Sequence, residues 1–490
     1  MPPALKICFA ASEVSPYAKT GGLADVASAL PAELHRRGHD VRVFLPFYSR
    51  IETDGREFST VDFIRDVEVQ LGWRTYKFSA CTTRLPGADV ELYLIDCPEL
   101  YHRPGIYTSD EDEAQRYGLF SRAAIECCQR MAWAPDVFHC NDWHTSLIPL
   151  LLRTIYEWDR LFEKSRTLVT IHNIGYQGSF PARTIDELGL GQWRHLVDQQ
   201  DLAADRLNFL RSGLIYAHAV STVSPTYARE IQTEAYGMGL EGLLRARRDT
   251  VVGILNGVDY GEWSPELDSF IPNRFSPQRM EGKAKNKRHL LETLRLAPTE
   301  GAPLIGVVTR LTHQKGFDLC FEVLPRLLRQ EDLRLVALGS GEPRYEEFFV
   351  ELQQHFPDHV CYHRGYNEEL AHVIEAGSDM LLMPSRYEPC GLNQMFSLKY
   401  GTIPIVRRTG GLADSVRPLH DGDGDATGFA FDEFSAEALA RALNHALETY
   451  RDPPAWRRLV KNAMRQNFSW EIQADHYVEL YSKMLEGREV

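Results

Sequence analysis

The apolar positions of this chain fall into short runs separated by longer amphipathic stretches, a rhythm that starts almost at the first residue. Compact β-rich runs predict strands over 5–11, 41–45, 90–95, 136–140 and 167–171. Between them the spacing predicts helices over 23–37, stopped by Gly38, and over 113–131 and 145–156. A second series begins after a Pro- and charge-rich passage, 262–287. It predicts a strand over 303–309, a helix over 317–329, strands over 334–338 and 360–363, a helix over 367–375 and a strand over 380–383. The tail, 435–486, reads as helical, broken at Pro453-Pro454, with Trp470 and a Tyr/Leu stripe through 476–485. Its last helix is expected to cross back onto the first lobe.

Strands alternating with helices are the pattern of parallel sheets covered on both faces. The expected fold class is therefore α/β, with two doubly wound sheets. At 490 residues the chain exceeds what one hydrophobic core usually serves, which also favours two domains. Ligands of such sheets bind beyond the carboxyl ends of the strands, so two facing sheets are expected to form one deep cleft. The expected division is 1–260, then 261–465, then 466–490 as the returning helix.

Composition narrows the partners. With 44% hydrophobic and 25% charged residues and a net charge of −14, nucleic acid and anionic membrane are disfavoured, whereas a small anion held by local cations is not. The nine cysteines form no CxxC pair, which reads as reduced thiols. No signal sequence precedes the first strand and no apolar stretch suffices to span a bilayer, so a cytoplasmic location is expected.

One heptad occurs twice. Lys19-Thr20-Gly21-Gly22-Leu23-Ala24-Asp25 returns as Arg408-Thr409-Gly410-Gly411-Leu412-Ala413-Asp414. A cation, a hydroxyl and paired glycines before a helix allow main-chain N–H groups to converge on phosphate. The bland alternative is a strand-to-helix turn that needs glycine for close packing.

Other polar clusters stand at strand ends. In the first lobe they are His139-Cys140-Asn141-Asp142-Trp143-His144 and Thr170-Ile171-His172-Asn173. Metal ligation by His139, Asp142 and His144 is disfavoured because neighbours on a strand end face different ways; a hydrogen-bonded core role is the alternative for His172. In the second lobe Arg310 and Lys315 flank a turn, a pairing suited to diphosphate. Glu388, in Pro384-Ser385-Arg386-Tyr387-Glu388-Pro389-Cys390-Gly391-Leu392, has no ion-pair partner at an obvious spacing. Amides exposed where a helix begins at Gly391 are expected to hold phosphate while Glu388 reaches sugar hydroxyls; Glu388 as a helix-start residue is the alternative.

Together KTGGLADV at 19, HxNDWH at 139, HN at 172, RLTHQKG at 310, PSRYEPCGLNQM at 384 and KYGTIPIVRRTGGLADSV at 399 resemble the bacterial glycogen synthase and plant starch synthase family, over roughly 6–481. The resemblance implies the glycosyltransferase-B fold, two Rossmann-like domains facing a deep cleft. It implies transfer of glucose from ADP-glucose to the non-reducing 4-hydroxyl of an α-1,4-glucan, with retention, no cofactor and no metal. By carry-over, Arg310 and Lys315 neutralise the departing diphosphate, with Lys19 and Gly22 covering it from the first lobe. Glu388 corresponds to the essential acid near the donor glucose and His172 to the contact with its 6-hydroxyl. Asp142 and Asn256 become substrate contacts, Tyr366 the adenine-stacking aromatic, and Cys390, Gly391, Leu392, Thr409 and Gly410 the donor floor. The alternatives are a related retaining glycosyltransferase with another donor or acceptor and a catalytically silent glucan-binding protein. A dehydrogenase is disfavoured because Ala11-Ser12-Glu13-Val14-Ser15-Pro16 stands where a GxGxxG is needed.

Overall fold

Each strand expected in the first series forms, in a computed structural model that describes residues 4–53, 57–299, 301–420 and 424–488. The chain divides into two compact units. Unit 1 comprises Met1–Val223, Ala228–Gly257 and Trp470–Val490; unit 2 comprises Ser224–Tyr227 and Val258–Ser469. The excursion Ser224–Tyr227 was not expected. Thr226 anchors it, donating from its amide at 2.8 Å and its hydroxyl at 2.6 Å to the Asp414 carboxylate.

The strands of unit 1, in chain order, are β1 (Lys6–Ala10), β2 (Asp40–Pro46), β3 (Ser59–Thr60), β4 (Val67–Leu71), β5 (Arg74–Arg84), β6 (Glu91–Asp96), β7 (Val137–Asn141), β8 (Arg166–Ile171), β9 (Ser179–Pro181), β10 (Arg206–Asn208), β11 (Ala219–Thr222) and β12 (Val251–Gly253). Ten of them make one sheet in the order β12-β11-β8-β7-β1-β2-β6-β5-β3, with β4 paired to β5. From β12 to β6 every pairing is parallel. The central strands β1, after its first residue, and β7 are buried throughout, although β7 carries His139 and Asn141. The antiparallel hairpin β4–β5 instead alternates buried and exposed residues, as a sheet with one wet face does.

Unit 2 holds β13 (Leu304–Val308), β14 (Arg334–Gly339), β15 (Val360–Arg364), β16 (Met380–Met383), β17 (Ile403–Arg407) and β18 (Phe429–Phe431). They form an all-parallel sheet in the order β15-β14-β13-β16-β17-β18. Its core joins Ile305, Leu335, Leu382 and Ile405 of the sheet to Val323 and Leu324 of the helix Cys320–Gln330 and to Leu443 of the helix Ala436–Tyr450.

Several elements depart from expectation. The helix expected over 145–156 is only Ile148–Leu152, preceded by a single turn. Thr154 Oγ1 donates to the Leu150 carbonyl at 2.8 Å, a local bond that competes with helix continuation. The hairpin β4–β5, the helix Pro343–His355 and the strands β17 and β18 were not anticipated. The break at Pro453-Pro454 is a helix start, where proline loses no intrahelical bond; Asp452 caps it. Among the described residues no helix is long and apolar enough to cross a membrane.

The last helix, Trp470–Glu486, packs on the helix Gly22–Arg36 within unit 1. Its ties are polar as well as apolar. Arg37 bonds the Asp475 carboxylate and the Glu471 carbonyl. At the centre, fully buried His139 on β7 bonds Tyr481 Oη through Nδ1 at 2.8 Å and Thr170 Oγ1 through Nε2 at 2.7 Å. Replacing Tyr481 by Phe strands that buried ring nitrogen, so Tyr481→Phe is expected to destabilise unit 1 by about 1–3 kcal/mol. Thermal unfolding of the full chain reads the loss; an unchanged transition would show that the bond contributes nothing net.

Candidate active site

In unit 2 the chain places β14 and β15 on one side of β13 and then returns to place β16 on the other. At such a reversal the loops leaving the two central strands splay apart and open a crevice at their carboxyl ends. The loops concerned carry the residues singled out in the sequence. After β13 comes Thr309–Gly316, and after β16 comes Pro384–Leu392.

Glu388 has a partner after all. Lys315 Nζ donates to Glu388 Oε2 at 2.6 Å, with side chains only 15% and 6% exposed. Seventy-three residues separate the two in sequence, and the adjacency of β13 and β16 removes that distance. Ser385 Oγ donates to the same carboxylate oxygen at 2.9 Å. Main chain ties the loops as well, Arg386 N donating to the Gln314 carbonyl at 2.8 Å. Gly316 follows Lys315 at φ +72°, and a Cβ there would meet the Pro384 carbonyl oxygen at 2.1 Å. Only glycine lets the two loops approach that closely.

The other unit 2 candidates surround this pair to different degrees. Arg310 is exposed and makes no hydrogen bond or ion pair among the described residues. Cys390, Gly391 and Leu392 lead into the helix Asn393–Tyr400. Buried Thr409 precedes Gly410, whose Cβ position lies 1.9 Å from the Glu388 carbonyl oxygen. Gly411 N donates to that carbonyl at 3.1 Å. Tyr366 stands just past β15, two strands from β13, with 70% of its surface exposed.

Unit 1 repeats the topology. The chain builds β2 and β6 on one side of β1 and β7 on the other, so the reversal lies between β1 and β7. Glu13 follows β1 and Asp142 follows β7. Asp142 sits at φ 54°, ψ −174°, a conformation costly for any residue with a Cβ. Its Oδ1 accepts the His172 amide at 2.8 Å. Burial pushes this carboxyl up to about 7, and the Glu13 charge adds to the rise, against the main-chain donors of His172 and Asn173. His172 Nε2 donates to Asn141 Oδ1 at 2.9 Å, since the Asn141 amide nitrogen is already directed to the Ala10 carbonyl. Burial pushes the His172 imidazole down to about 3, so it is neutral at physiological pH.

Sequence reasoning missed Glu13. Its carboxylate accepts the Thr20 amide at 2.5 Å, the Gly21 amide at 3.0 Å and the Thr20 hydroxyl at 2.7 Å, and Tyr107 Oη donates to it at 2.5 Å. The amides expected to cradle phosphate are thus held by an internal carboxylate. The signal was present: an acid stands where dinucleotide-binding strands carry glycine. Lys19 pairs with Asp25 at 2.8 Å, and Gly22 begins the following helix. Asn256 is buried, its Oδ1 without a hydrogen-bond partner. His139 is consumed by Tyr481 and Thr170, and His144 lies against Tyr107, Tyr117 and Trp143, so the HxNDWH run does not converge on one point.

The structure therefore brings Lys315, Glu388 and Gly410 together in one unit and Asp142 with His172 in the other. Comparison with known proteins gives this arrangement its family. The starch synthase catalytic domain model matches residues 6–246, and the glycosyl transferases group 1 model matches residues 295–466. The glycogen synthase of Koribacter versatilis is 44% identical over 488 residues, 99% of each chain. That of Syntrophotalea carbinolica is 42% identical over 486 residues, 98% of this chain and 99% of its own. Among solved structures, the catalytic domain of starch synthase IV from Arabidopsis thaliana, bound to ADP and acarbose, superposes with a TM-score of 0.91 at 34% identity, covering 99% of this chain and 100% of its own. A sucrose-phosphate synthase from Thermosynechococcus elongatus, with a TM-score of 0.59 at 19% identity over 98% of this chain and 99% of its own, shares the fold alone. Two Rossmann-like units matched along their whole length, with each polar cluster at the reversal of its sheet, place the chain in the glycogen and starch synthase family of glycosyltransferase-B enzymes, which transfer glucose from ADP-glucose to an α-1,4-glucan.

Proposed function

We propose that the Lys315–Glu388 cluster handles the departing diphosphate and the anomeric carbon, and that the Asp142–His172 cluster handles sugar hydroxyls. The observation that carries this reading is the buried ion pair at the β13/β16 reversal. When the glucosyl C1–O bond breaks, its electron pair goes to the diphosphate oxygen and positive charge grows on the sugar. Arg310 and Lys315 compensate the first charge, and the Glu388 carboxylate compensates the second. The acceptor 4-hydroxyl oxygen forms the new bond on the same face, and its proton passes to the leaving phosphate oxygen, so configuration is retained without a covalent intermediate. Oε2 of Glu388 already accepts two hydrogen bonds, which lowers the nucleophilicity of that oxygen.

Lys19 and Gly22 join the diphosphate contacts in this reading, and Asn256 joins the sugar contacts. Cys390, Gly391, Leu392, Thr409 and Gly410 form the floor under the donor. Tyr366 supplies an exposed ring for the adenine. His172, neutral, exchanges a hydrogen bond with a hydroxyl without introducing charge.

Lys315→Ala is expected to lower kcat by about 100-fold or more with a much smaller change in the glucan KM. Initial rates with glycogen and ADP-glucose measure it, and near-normal turnover would remove the leaving-group role. The same assay with UDP-glucose, and with other acceptors, separates this reading from a related transferase. A trapped glucosyl adduct on Glu388 or Asp142 would overturn the same-face route.

Asp142 gives a prediction on stability. Its folded value near 7 lies above the unfolded value of about 4, so the folded chain binds this proton more tightly. The group's penalty is absent below about pH 4, grows as pH rises and is complete above about pH 7. Asp142→Asn has no such group. Its melting temperature relative to the native chain is expected to rise between about pH 5 and pH 8; a difference independent of pH would show the carboxyl to be unperturbed.

A further inference from the structure

Unit 2 carries a second cluster outside the transfer chemistry. The helix Glu368–Gly377 places Glu368 and His372 one turn apart, and Glu262 comes from the segment that opens the unit. One ligand atom from each, two carboxylate oxygens and an imidazole nitrogen, lies within 4.8 Å of the others. His372 Nε2 and Glu368 Oε1 are 4.0 Å apart.

His372 is the informative member. It is fully buried, and its Nε2 has no hydrogen-bond partner. A buried polar atom in that state is unusual in a folded protein. The other ring nitrogen, Nδ1, lies 2.8 Å from Asp268 Oδ2. Asp268 already accepts from Tyr400 Oη at 2.6 Å and from the Phe270 amide at 2.8 Å. A carboxylate so placed is an acceptor only, so Nδ1 carries the proton and Nε2 presents a lone pair toward the two glutamates. The ring is fixed as well as oriented. Trp263 stacks on it at 3.7 Å, and Phe396 stacks on Trp263 at 4.0 Å. A carboxylate behind one imidazole nitrogen and an unpaired lone pair on the other is the arrangement that orients a metal-ligating histidine.

We propose that Glu262, Glu368 and His372 bind a divalent transition-metal ion, with Zn2+ as the reference ion, through one nitrogen and two carboxylate oxygens. The imidazole donor favours Zn2+ and its neighbours over Mg2+ and Ca2+, which prefer oxygen. Two carboxylates balance the charge of the ion. Tetrahedral ligands at about 2.1 Å from zinc lie about 3.4 Å apart, so the glutamates must close by rotation about their own side-chain bonds while the histidine stays fixed. Glu262 is exposed and Glu368 partly so, which leaves an entry path. A fourth position remains for water. Tyr366 Oη donates to the other oxygen of Glu368, so the ion also steadies that exposed ring. The sequence reading expected no metal.

The test uses the full chain, stripped with a chelator and titrated with Zn2+ against a chromophoric competitor, then with Co2+ followed by absorption. One equivalent is expected to bind. Glu262→Gln and Glu368→Gln should each weaken it by about 10-fold or more, and His372→Gln should abolish it. The cobalt spectrum should show ligand-field bands without sulfur-to-metal charge transfer, because the cysteines are not ligands. Failure to bind, binding indifferent to Glu262→Gln, or a thiolate charge-transfer band overturns the proposal. Glu262 is exposed, so its variant tests the site even where His372→Gln does not fold.

Discussion

The constraint on which the structure turns is the reversal of strand order within a parallel sheet. Because every crossover returns the chain to the same edge, all strand carboxyl ends lie together, and only at the reversal do two adjacent loops diverge. In unit 2 that point brings residue 315 to residue 388; in unit 1 it brings the loop after β1 beside the loop after β7. The polar residues of those loops are nonetheless buried, Glu388 at 5% and Asp142 at 8% exposure. Their chemistry is a consequence of where the sheet leaves room.

Desolvation decides what each cluster can do once assembled. In unit 1 it shifts both central groups toward their neutral forms, raising Asp142 and lowering His172. In unit 2 Lys315 and Glu388 are paired with each other instead, at 2.6 Å. A buried pair is weak evidence for stability, since removing two ions from water costs what their attraction returns. Its persistence fits the role proposed for Lys315 at the departing diphosphate.

The fold was legible where periodicity was strong. Continuous apolar runs marked β1 and β13, and the glycines and prolines bounding them marked the turns. The hairpin β4–β5 was legible in principle, as Val67, Val69 and Leu71 alternate with exposed residues, but an insertion at a sheet edge interrupts the strand–helix rhythm that organised the reading. The candidate site was legible as residue types at strand ends. What pairing they make was not. Glu388 looked unpartnered because ion pairs are read locally along a sequence, whereas its partner depends on which strands become neighbours. Glu13 was missed for a related reason: two of its partners are main-chain amides, which have no letter in the sequence.

The repeated heptad shows how far a shared local sequence constrains a role. In the first copy no atom lies within 4 Å of where a Cβ on Gly21 would stand, so that glycine is not required by packing; the amides it frees are held by Glu13. In the second copy a Cβ on Gly410 would strike the Glu388 carbonyl at 1.9 Å and one on Gly411 the Cys390 carbonyl at 2.1 Å. There the glycines exist so that the loop can lie against the segment carrying the acid. The aspartates diverge in the same way. Asp25 turns back to Lys19 in its own heptad, while Asp414 holds the excursion Ser224–Tyr227 to unit 2. One copy is thus shaped by a carboxylate that occupies an anion's place, and the other by contact with the segment carrying Glu388. What a glycine-rich turn binds is set by what approaches its amides, and the two turns are approached by different things.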